Sequence, residues 1–247
     1  MKVVLSIAGS DSGGGAGIQA DIKTAEAFNC FGTTAITALT AQNTKGVSGV
    51  YPINPEFVLK QIEAVMSDFD VAAIKIGMLG TKELANTIKN VIKDFNKPIV
   101  LDPVAITRAG SKLLDDDAKN ALVELFSYAT IITPNHFEAE YFGLDFNKST
   151  KLQKANFLIK NVESNSKFAV DRLFLNGVFK EDFKTPFAQK ENTHGTGCSY
   201  SMAIACSLAL GFNLFTSIKN SKEYIYKAIK NAPNLGRGNG PICHKIK

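Results

Sequence analysis

The residues best suited to chemistry form the stretch Asn192–Cys198, which runs directly into the apolar segment Ser199–Leu210. Gly195 and Gly197 have no Cβ atom, so several backbone N–H groups can turn toward one point. The first N–H groups of a helix lack internal partners, and the helix dipole places partial positive charge there. Gly195, Thr196 and Gly197 therefore predict an anion site that suits a phosphate, or the charge that develops in phosphoryl transfer.

Cys198 falls in the first turn of the predicted helix. A thiolate is stabilised at a helix N-terminus, and there it can act as a base. The alternative is a glycine-rich turn that caps a core helix and carries a buried cysteine, because such turns are common before helices. The spacing alone leaves both interpretations open.

The composition is that of a globular chain of 247 residues, with 45% hydrophobic and 21% charged residues. This length fits one α/β domain over residues 1–247 better than two small ones. The net charge of +5 comes from scattered basic residues, so we predict no nucleic-acid partner. No apolar run is long enough to span a membrane, and we predict no membrane partner. The four cysteines show neither zinc spacing nor a disulfide framework, and no signal peptide is evident, which predicts a cytoplasmic protein.

The order of apolar segments predicts a mostly parallel sheet with helices packed against it. Strands are predicted at Lys2–Ala8, Thr33–Ala41, Val50–Asn54, Val71–Ile76, Pro98–Leu101 and Ala129–Thr133. Helices are predicted at Ile18–Phe28, Glu56–Asp68, Lys82–Phe95, Asp115–Phe126, Leu152–Val162, Thr196–Leu210 and Phe215–Ala232. Residues 165–190 are strand-like and turn-like, with no helical period.

Polar side chains follow successive predicted strands, where ligands of such folds bind. We expect five of them to meet in one crevice: Asp11, Gln42, Asp102, Asn135 and Glu138. A carboxylate at such a position suits Mg²⁺, and an amide suits the hydrogen-bonding edge of a ligand. The glycine loop after the first strand lacks the Gly-Lys-Ser/Thr of a Walker A loop, so it predicts the lining of a small-molecule pocket instead.

Six motifs resemble, in order, those of the hydroxymethylpyrimidine/phosphomethylpyrimidine kinases of thiamin biosynthesis, within the ribokinase-like superfamily. They are Ile7–Asp21, Ala38–Thr44, Lys75–Leu79, Leu101–Val104, Thr133–Glu140 and Thr193–Cys198. The motifs run from near the N-terminus to near the C-terminus, so the resemblance covers almost the whole chain. Each motif alone is weak, and their common order makes the resemblance specific.

The resemblance implies a three-layer ribokinase-like fold and a bifunctional kinase that uses ATP and Mg²⁺. Such a kinase phosphorylates 4-amino-5-hydroxymethyl-2-methylpyrimidine and then its monophosphate, which yields the pyrophosphate. The resemblance also implies site residues. The base is Cys198, and the anion hole is Gly195, Thr196 and Gly197. The pyrimidine pocket is Gln42, Gly9, Asp21, Met78 and Val104; the nucleotide side is Thr133, Asn135 and His194; the metal ligands are Asp102 and Glu138. Family members are often dimers, which implies a possible homodimer.

One departure from the family concerns a strand that usually ends in Lys-Gly-Gly, between the predicted helix Leu152–Val162 and Ala169–Asp171. Here Ser164–Lys167 joins these two segments with no such motif between them. We therefore predict that this strand is missing, by deletion or by omission from the sequence, which affects the ATP half of the site. A pyridoxal or pyridoxine kinase is the nearest alternative, although Gln42 and Met78 favour the pyrimidine. A non-catalytic pyrimidine-binding protein is the other alternative if the gap is real.

Overall fold

The computed structural model describes residues 1–105, 114–115, 117–144, 155–164 and 167–246. The strands in these ranges are β1 (Lys2–Asp11), β2 (Cys30–Asn43), β3 (Gly46–Pro52), β4 (Val71–Ile76), β5 (Ile99–Leu101), β6 (Ile131–Ile132), β7 (Phe157–Ser164), β8 (Phe168–Leu175) and β9 (Val178–Pro186). The helices are α1 (Gly17–Ala27), α2 (Pro55–Asp68), α3 (Lys82–Ile92), α4 (Ala118–Glu124), α5 (His136–Tyr141), α6 (Thr196–Ala209) and α7 (Leu214–Lys230). A 3-10 turn, Leu125–Tyr128, follows α4.

The nine described strands form one sheet in the order β3-β2-β1-β4-β5-β6-β7-β8-β9. The six strands from β2 to β7 in this order pair in parallel, whereas β3, β8 and β9 are antiparallel to their neighbours. Strand β1 has β2 on one side and β4 on the other, so the chain adds strands first on one side of β1 and then on the opposite side. The carboxyl ends of β1 and β4 therefore form the switch point at which ligands bind in open α/β sheets.

Alternate side chains of the central strands pack on opposite faces of the sheet, as the period of two in a strand requires. On β1, Leu5 and Ile7 join one core with residues of α2, α3, α4 and α5, while Val4 joins a second core with α1, α6 and α7. Two cores on the two faces of one sheet give the three layers that the sequence predicts. Among the described helices, none combines the length and the apolar character that crossing a bilayer requires.

The predicted helix at Leu152–Val162 is wrong. Residues 152–154 lie outside the described ranges, and Phe157 to Ser164 form strand β7, between β6 and β8. The strand that we predicted to be missing is therefore present. It begins with Phe157-Leu158-Ile159-Lys160, and Asn161 within it has φ 56°. A short apolar run has no period that separates a buried strand from a buried helix, which explains the error.

Other elements differ less from the prediction. Strand β2 extends two residues past its predicted end at Ala41 and forms a hairpin with β3, so Gln42 and Asn43 pair in the sheet. Residues 165–190, read as strand-like and turn-like, contain β8 and β9 from Phe168 to Pro186. Helix α5, which the sequence did not indicate, begins directly after Asn135. Helix α6 begins at Thr196 as predicted.

Candidate active site

A cavity of about 700 Å³ opens at the switch point of the sheet, where the ends of β1, β2, β4 and β7 meet the first turns of α5 and α6. Most of the predicted site residues line it. They are Gly9, Gln42, Met78, Asp102, Val104, Asn135, Glu138, His194, Gly195, Thr196, Gly197 and Cys198. The five polar residues that follow predicted strands all lie in this one cavity, because parallel strands bring their carboxyl ends to the same edge.

The side chain of Asp11 fixes the glycine loop between β1 and α1. Its Oδ1 accepts a hydrogen bond from the N–H of Gly13 at 2.7 Å, and its Oδ2 accepts from Gly15 at 3.0 Å and Ala16 at 2.8 Å. Burial alone would raise the pKa of Asp11, but hydrogen bonds from His194 and the loop hold it below its ordinary value. An anionic Asp11 therefore holds the loop in place.

The first turn of α6 packs directly against this loop. Gly195 has φ 80°, and a Cβ there would lie 1.7 Å from the carbonyl oxygen of Gly15, so the contact requires glycine. A Cβ on Gly197 would instead lie 3.5 Å from Lys160 Nζ and 3.7 Å from Asp102 Oδ2, at ordinary contact distance. The start of α6, where the first N–H groups have no partners within the helix, therefore lies beside a lysine and a carboxylate, which suits the binding of a metal-bound phosphate.

Two helix N-termini meet at Cys198. It lies in the first turn of α6, and the backbone N–H of Gly17, where α1 begins, is among the groups that lower the pKa of its thiol. Burial raises the pKa of the Cys198 thiol to about 11, while the charge of Lys75 and the Gly17 N–H lower it. The negative charges of Asp21 and Asp102 add to the effect of burial. The resting thiol is therefore protonated at neutral pH, and thiolate formation depends on the positive groups around it.

A buried ion pair connects β5 and β7 across the cavity floor. Lys160 Nζ lies 2.9 Å from Asp102 Oδ1, which also accepts a hydrogen bond from Thr133 Oγ1 at 3.2 Å. Burial opposes the charge on Lys160, but Asp102 and Glu138 raise its pKa above the ordinary value. Lys160 therefore stays charged beside the first turn of α6, where it can contact a phosphate.

Glu138 both caps the N-terminus of α5 and lines the cavity. Its Oε2 accepts a hydrogen bond from the Asn135 N–H at 2.9 Å, and the Asn135 side chain accepts from the Glu138 N–H at 2.9 Å, which is a reciprocal capping box. Burial raises the pKa of Glu138 to about 7; the negative charge of Asp102 adds to this, and the positive charge of Lys160 opposes it. Two neighbouring carboxylates repel each other, and a cation bound between them would relieve this repulsion, so Glu138 is suited to bind a cation.

The donor set of Asp102 and Glu138 fits Mg²⁺. This ion is usually held in nucleotide sites by one or two carboxylates together with the substrate phosphates. Within the described part of the chain, no three or more His, Cys, Asp or Glu side chains are grouped so as to hold a metal. The two carboxylates therefore suit a metal that is shared with the nucleotide.

His194 connects the glycine loop to Gln42. Its Nε2 lies 2.8 Å from Asp11 Oδ2 and 3.3 Å from Gln42 Nε2. A carboxylate can only accept a hydrogen bond, so Nε2 of His194 carries a proton and donates it to Asp11. An amide NH₂ group of Gln42 facing Nε2 would then place two hydrogen-bond donors against each other. Exchanging the amide oxygen and nitrogen of Gln42 removes the conflict, an assignment that hydrogen-bond networks decide. Oε1 of Gln42 then accepts from His194, and Nε2 donates to Thr40 Oγ1, which donates to Ser10.

Three predicted site residues occupy places that the prediction did not give them. Asp21, predicted in the pyrimidine pocket, is fully buried behind the cavity wall and is not among the residues that line it. Thr133, predicted on the nucleotide side, is also buried and contacts Asp102. His194, predicted on the nucleotide side, lies beside Gln42.

Five lysines that line the cavity were not predicted, namely Lys45, Lys75, Lys160, Lys190 and Lys222, and two of them are ion-paired beside the predicted site. Lys75 belongs to one of the quoted motifs, but no role was given to it; its signal was a charged residue in the otherwise apolar strand Val71–Ile76. Lys160 was assigned to a helix, and the signal that could have located it is the apolar run Phe157–Ile159 directly before it.

The three-layer fold, the cavity at the switch point and the glycine-bordered start of α6 define a small-molecule kinase of the ribokinase-like class. The family profile described as phosphomethylpyrimidine kinase matches residues 11–243. The chain is 41% identical to the hydroxymethylpyrimidine/phosphomethylpyrimidine kinase of Haemophilus influenzae, over 99% of this chain and 97% of that protein. The chain belongs to the phosphomethylpyrimidine kinase family.

Further relatives agree with this assignment. The chain is 41% identical to the thiamine biosynthesis bifunctional protein ThiED of Geobacter sulfurreducens. The match includes 98% of this chain and 52% of that protein, so the chain spans about half of that relative's length. The solved phosphomethylpyrimidine kinase (ThiD) of Clostridium difficile 630 matches with a TM-score of 0.80 and 40% identity, over 93% of this chain and all (100%) of that chain. The pyridoxal kinase of Staphylococcus aureus in complex with AMP-PCP matches with a TM-score of 0.88 and 29% identity, over 99% of this chain and 93% of that chain.

Proposed function

We propose that the protein is a bifunctional kinase that phosphorylates 4-amino-5-hydroxymethyl-2-methylpyrimidine and then its monophosphate, for thiamin biosynthesis. The observation that carries the proposal is the meeting of Cys198, the first turn of α6 and Gln42 in one cavity of a chain that belongs to this family. Residues 1–247 act as one kinase domain in this proposal, and the substrates are small molecules.

The pyrimidine ring is held at the β1 and β2 side of the cavity. Gln42 presents an oriented amide there, and a Cβ on Gly9 would lie 3.1 Å from Met78 Cε, so the missing side chain leaves room for the methionine. Val104 lines the same cavity. A planar ring between apolar side chains with one oriented amide is a usual form of small-molecule recognition.

In the first reaction the substrate hydroxyl oxygen attacks the γ-phosphorus of ATP. The bond from that phosphorus to the β–γ bridging oxygen breaks, ADP leaves with the electron pair, and the hydroxyl proton passes to the Cys198 thiolate. The N–H groups at the start of α6 and the charge of Lys160 stabilise the transferred phosphoryl group. Asp102 and Glu138 would hold Mg²⁺, which when bound neutralises phosphate charge.

In the second reaction the nucleophile is a phosphate oxygen. The second pKa of a phosphate monoester is about 6, so this oxygen carries negative charge at neutral pH and needs no base. Backbone N–H groups can donate to a hydroxyl oxygen or to a phosphate oxygen, which is why one glycine-bordered site suits both reactions. The two steps therefore differ in their need for Cys198.

Three features belong to the proposal as predictions: Mg²⁺ as the metal, a cytoplasmic location and a possible homodimer. ATP as the phosphoryl donor is supported by relatives solved with AMP-PCP or ADP. A non-catalytic pyrimidine-binding protein was considered because of a missing strand, and β7 occupies that place in the sheet. Pyridoxal remains the alternative substrate, since pyridoxal kinases share the fold.

The test supplies ATP with the hydroxymethylpyrimidine, its monophosphate or pyridoxal, and identifies the products by mass spectrometry. We expect the pyrimidine monophosphate and pyrophosphate. Pyridoxal phosphate with no pyrimidine product would assign the chain to the pyridoxal kinases. Binding of the pyrimidine by calorimetry, with no ADP formed from any substrate, would show a binding protein and refute the proposal.

A further inference from the structure

Strand β7 is irregular at the point where it carries Lys160 into the cavity. Its pairing with β8 runs from Phe157 to Ile159 and resumes only at Glu163, and Asn161 between them has a left-handed backbone with φ 56°. An irregularity of this kind turns a side chain away from the direction that a regular strand would give it. The direction of Lys160 therefore depends on the groups that hold this interruption in shape.

Hydrogen bonds hold the interruption from both sides. On the side of β6, the N–H of Lys160 donates to the carbonyl oxygen of Pro134 at 2.8 Å. On the side of β8, the N–H of Asn161 donates to Oδ1 of Asp171 at 3.0 Å, so a side chain takes the place of a ladder hydrogen bond. A left-handed backbone is unfavourable for residues other than glycine, although asparagine tolerates it better than most. A fixed acceptor for the Asn161 N–H stabilises this conformation.

Asp171 is itself held by an ion pair with α7. Its Oδ2 lies 2.7 Å from Nζ of Lys222, and the two side chains are only 3% and 8% exposed. Asp171, Lys222 and Asn161 all line the cavity. Burying two charges has a desolvation cost that makes such pairs weak evidence for stability. The pair does fix the carboxylate in one orientation, with Oδ1 directed at the Asn161 N–H.

Lys160 connects this arrangement to the phosphate side of the cavity. Its Nζ lies 2.9 Å from Asp102 Oδ1, and a Cβ on Gly197 in the first turn of α6 would lie 3.5 Å from it. A displacement of about 1 Å in a positioned group can cost much of its effect, even when the change that causes it is distant. A change of backbone at Asn161 would displace the residue directly before it.

We propose that Asp171, oriented by Lys222, is a positioning residue for the nucleotide: it holds the left-handed backbone at Asn161 and thereby directs Lys160 toward the start of α6. The inference rests on the proposed kinase function for the ligand that Lys160 meets, which is the phosphate chain of ATP. ATP is the donor in both reactions, so this role affects both alike and leaves binding of the pyrimidine unchanged.

The first experiment measures the binding of AMP-PCP with Mg²⁺ by calorimetry in the wild type and in the double variant Asp171→Leu/Lys222→Met. Removing both charges together leaves neither one buried without its partner, a replacement that proteins often tolerate. We expect the dissociation constant for AMP-PCP to rise about tenfold, as for a weakened contact to a charged group, and that for the hydroxymethylpyrimidine to stay the same. An unchanged affinity for AMP-PCP would overturn the proposal, and so would an equal loss for both ligands.

Adding Asn161→Gly to the double variant separates a positioning role from a direct contact with the nucleotide. Glycine adopts positive φ readily, and residue 161 is exposed, so water can replace the lost acceptor. We therefore expect the triple variant to regain most of the affinity for AMP-PCP. Absence of recovery would overturn the proposal, because Asp171 or Lys222 would then contact the nucleotide directly or support the cavity as a whole.

Asp182→Asn is the matched control. Asp182 on β9 pairs with Arg172, the residue after Asp171, with Oδ1 2.8 Å from Nε. Successive residues of a strand point to opposite faces, and neither Asp182 nor Arg172 is among the described residues that line the cavity. Its affinity for AMP-PCP should equal that of the wild type. A loss as large as that of the double variant would overturn the proposal.

The last comparison repeats the double substitution in a Lys160→Met background. Substitutions that act through the same group are not additive, so we expect little further loss of AMP-PCP affinity there. A further tenfold loss would overturn the proposal. A wild type that binds AMP-PCP but phosphorylates neither pyrimidine would refute the proposed function and leave these binding results standing, whereas a wild type that does not bind AMP-PCP would refute both.

Discussion

Gly195→Ala tests the contact that builds the anion site. An alanine would take a left-handed backbone at φ 80°, which costs about 1 to 2 kcal/mol, and its Cβ would lie 1.7 Å from the Gly15 carbonyl oxygen. Moving the loop away adds about 1 to 3 kcal/mol of overpacking. The sum of about 2 to 5 kcal/mol predicts a Tm lower by about 5 to 15 °C for a chain of this size.

Gly197→Ala is the matched control. Its Cβ would find neighbours at 3.5 Å and beyond, and alanine is about 1 kcal/mol more favourable than glycine inside a helix. We expect its Tm to equal or exceed that of the wild type, while kinase activity falls because a methyl group enters the anion site. The two variants are compared by thermal unfolding and by ADP release. Equal melting of Gly195→Ala and the wild type would refute the account of how α6 meets the glycine loop.

Three further predictions concern ionisation and recognition. Burial first, and Lys23 second, lower the pKa of His244 to about 4, below its unfolded value, so stability is lost as pH falls from about 6.5 toward 4. Urea unfolding at both pH values should show that the wild type loses about 2 kcal/mol relative to His244→Gln between about pH 7.5 and pH 5; an unchanged difference would contradict this. The raised pKa of Glu138 means that its contribution to stability is lost as pH rises through about 7. Above that pH, Glu138→Gln should therefore have a higher Tm than the wild type and should lose kinase activity. A lower Tm would contradict this prediction. His194→Phe should raise KM for the pyrimidine about tenfold or more, since Gln42 loses the donor that orients its amide; an unchanged KM would contradict the assigned orientation.

Much of the fold could be predicted because its signals are local. Strand β4 was predicted with its observed bounds from a run of apolar residues, and α6 from the glycines before it. The polar residues after the strands were expected to share one crevice, and the sheet topology brings Asp11, Gln42 and Asp102 to one cavity.

The rest depended on contacts between distant residues. The run Phe157–Ile159 is short and apolar, so only its pairing with β6 and β8 decides that it is a strand. The ion-pair partners of Lys75 and Lys160 lie 54 and 58 residues away along the chain, which no local pattern indicates. The prediction of a missing strand failed because it depended on the motif Lys-Gly-Gly, whereas β7 contains Lys160-Asn161-Val162, and Asn161 adopts the left-handed backbone that glycine usually provides.

The most direct test of the account is ADP release from the two pyrimidine substrates by the wild type, Cys198→Ala and Cys243→Ala. Cys243 is a free cysteine that does not line the cavity, so its variant controls for loss of a thiol. The account predicts that Cys198→Ala lowers kcat for the hydroxymethylpyrimidine by about 10² to 10⁴, the usual contribution of a general base, while phosphorylation of the monophosphate largely persists. Full activity of Cys198→Ala on the hydroxymethylpyrimidine would contradict the assignment of Cys198 as the base.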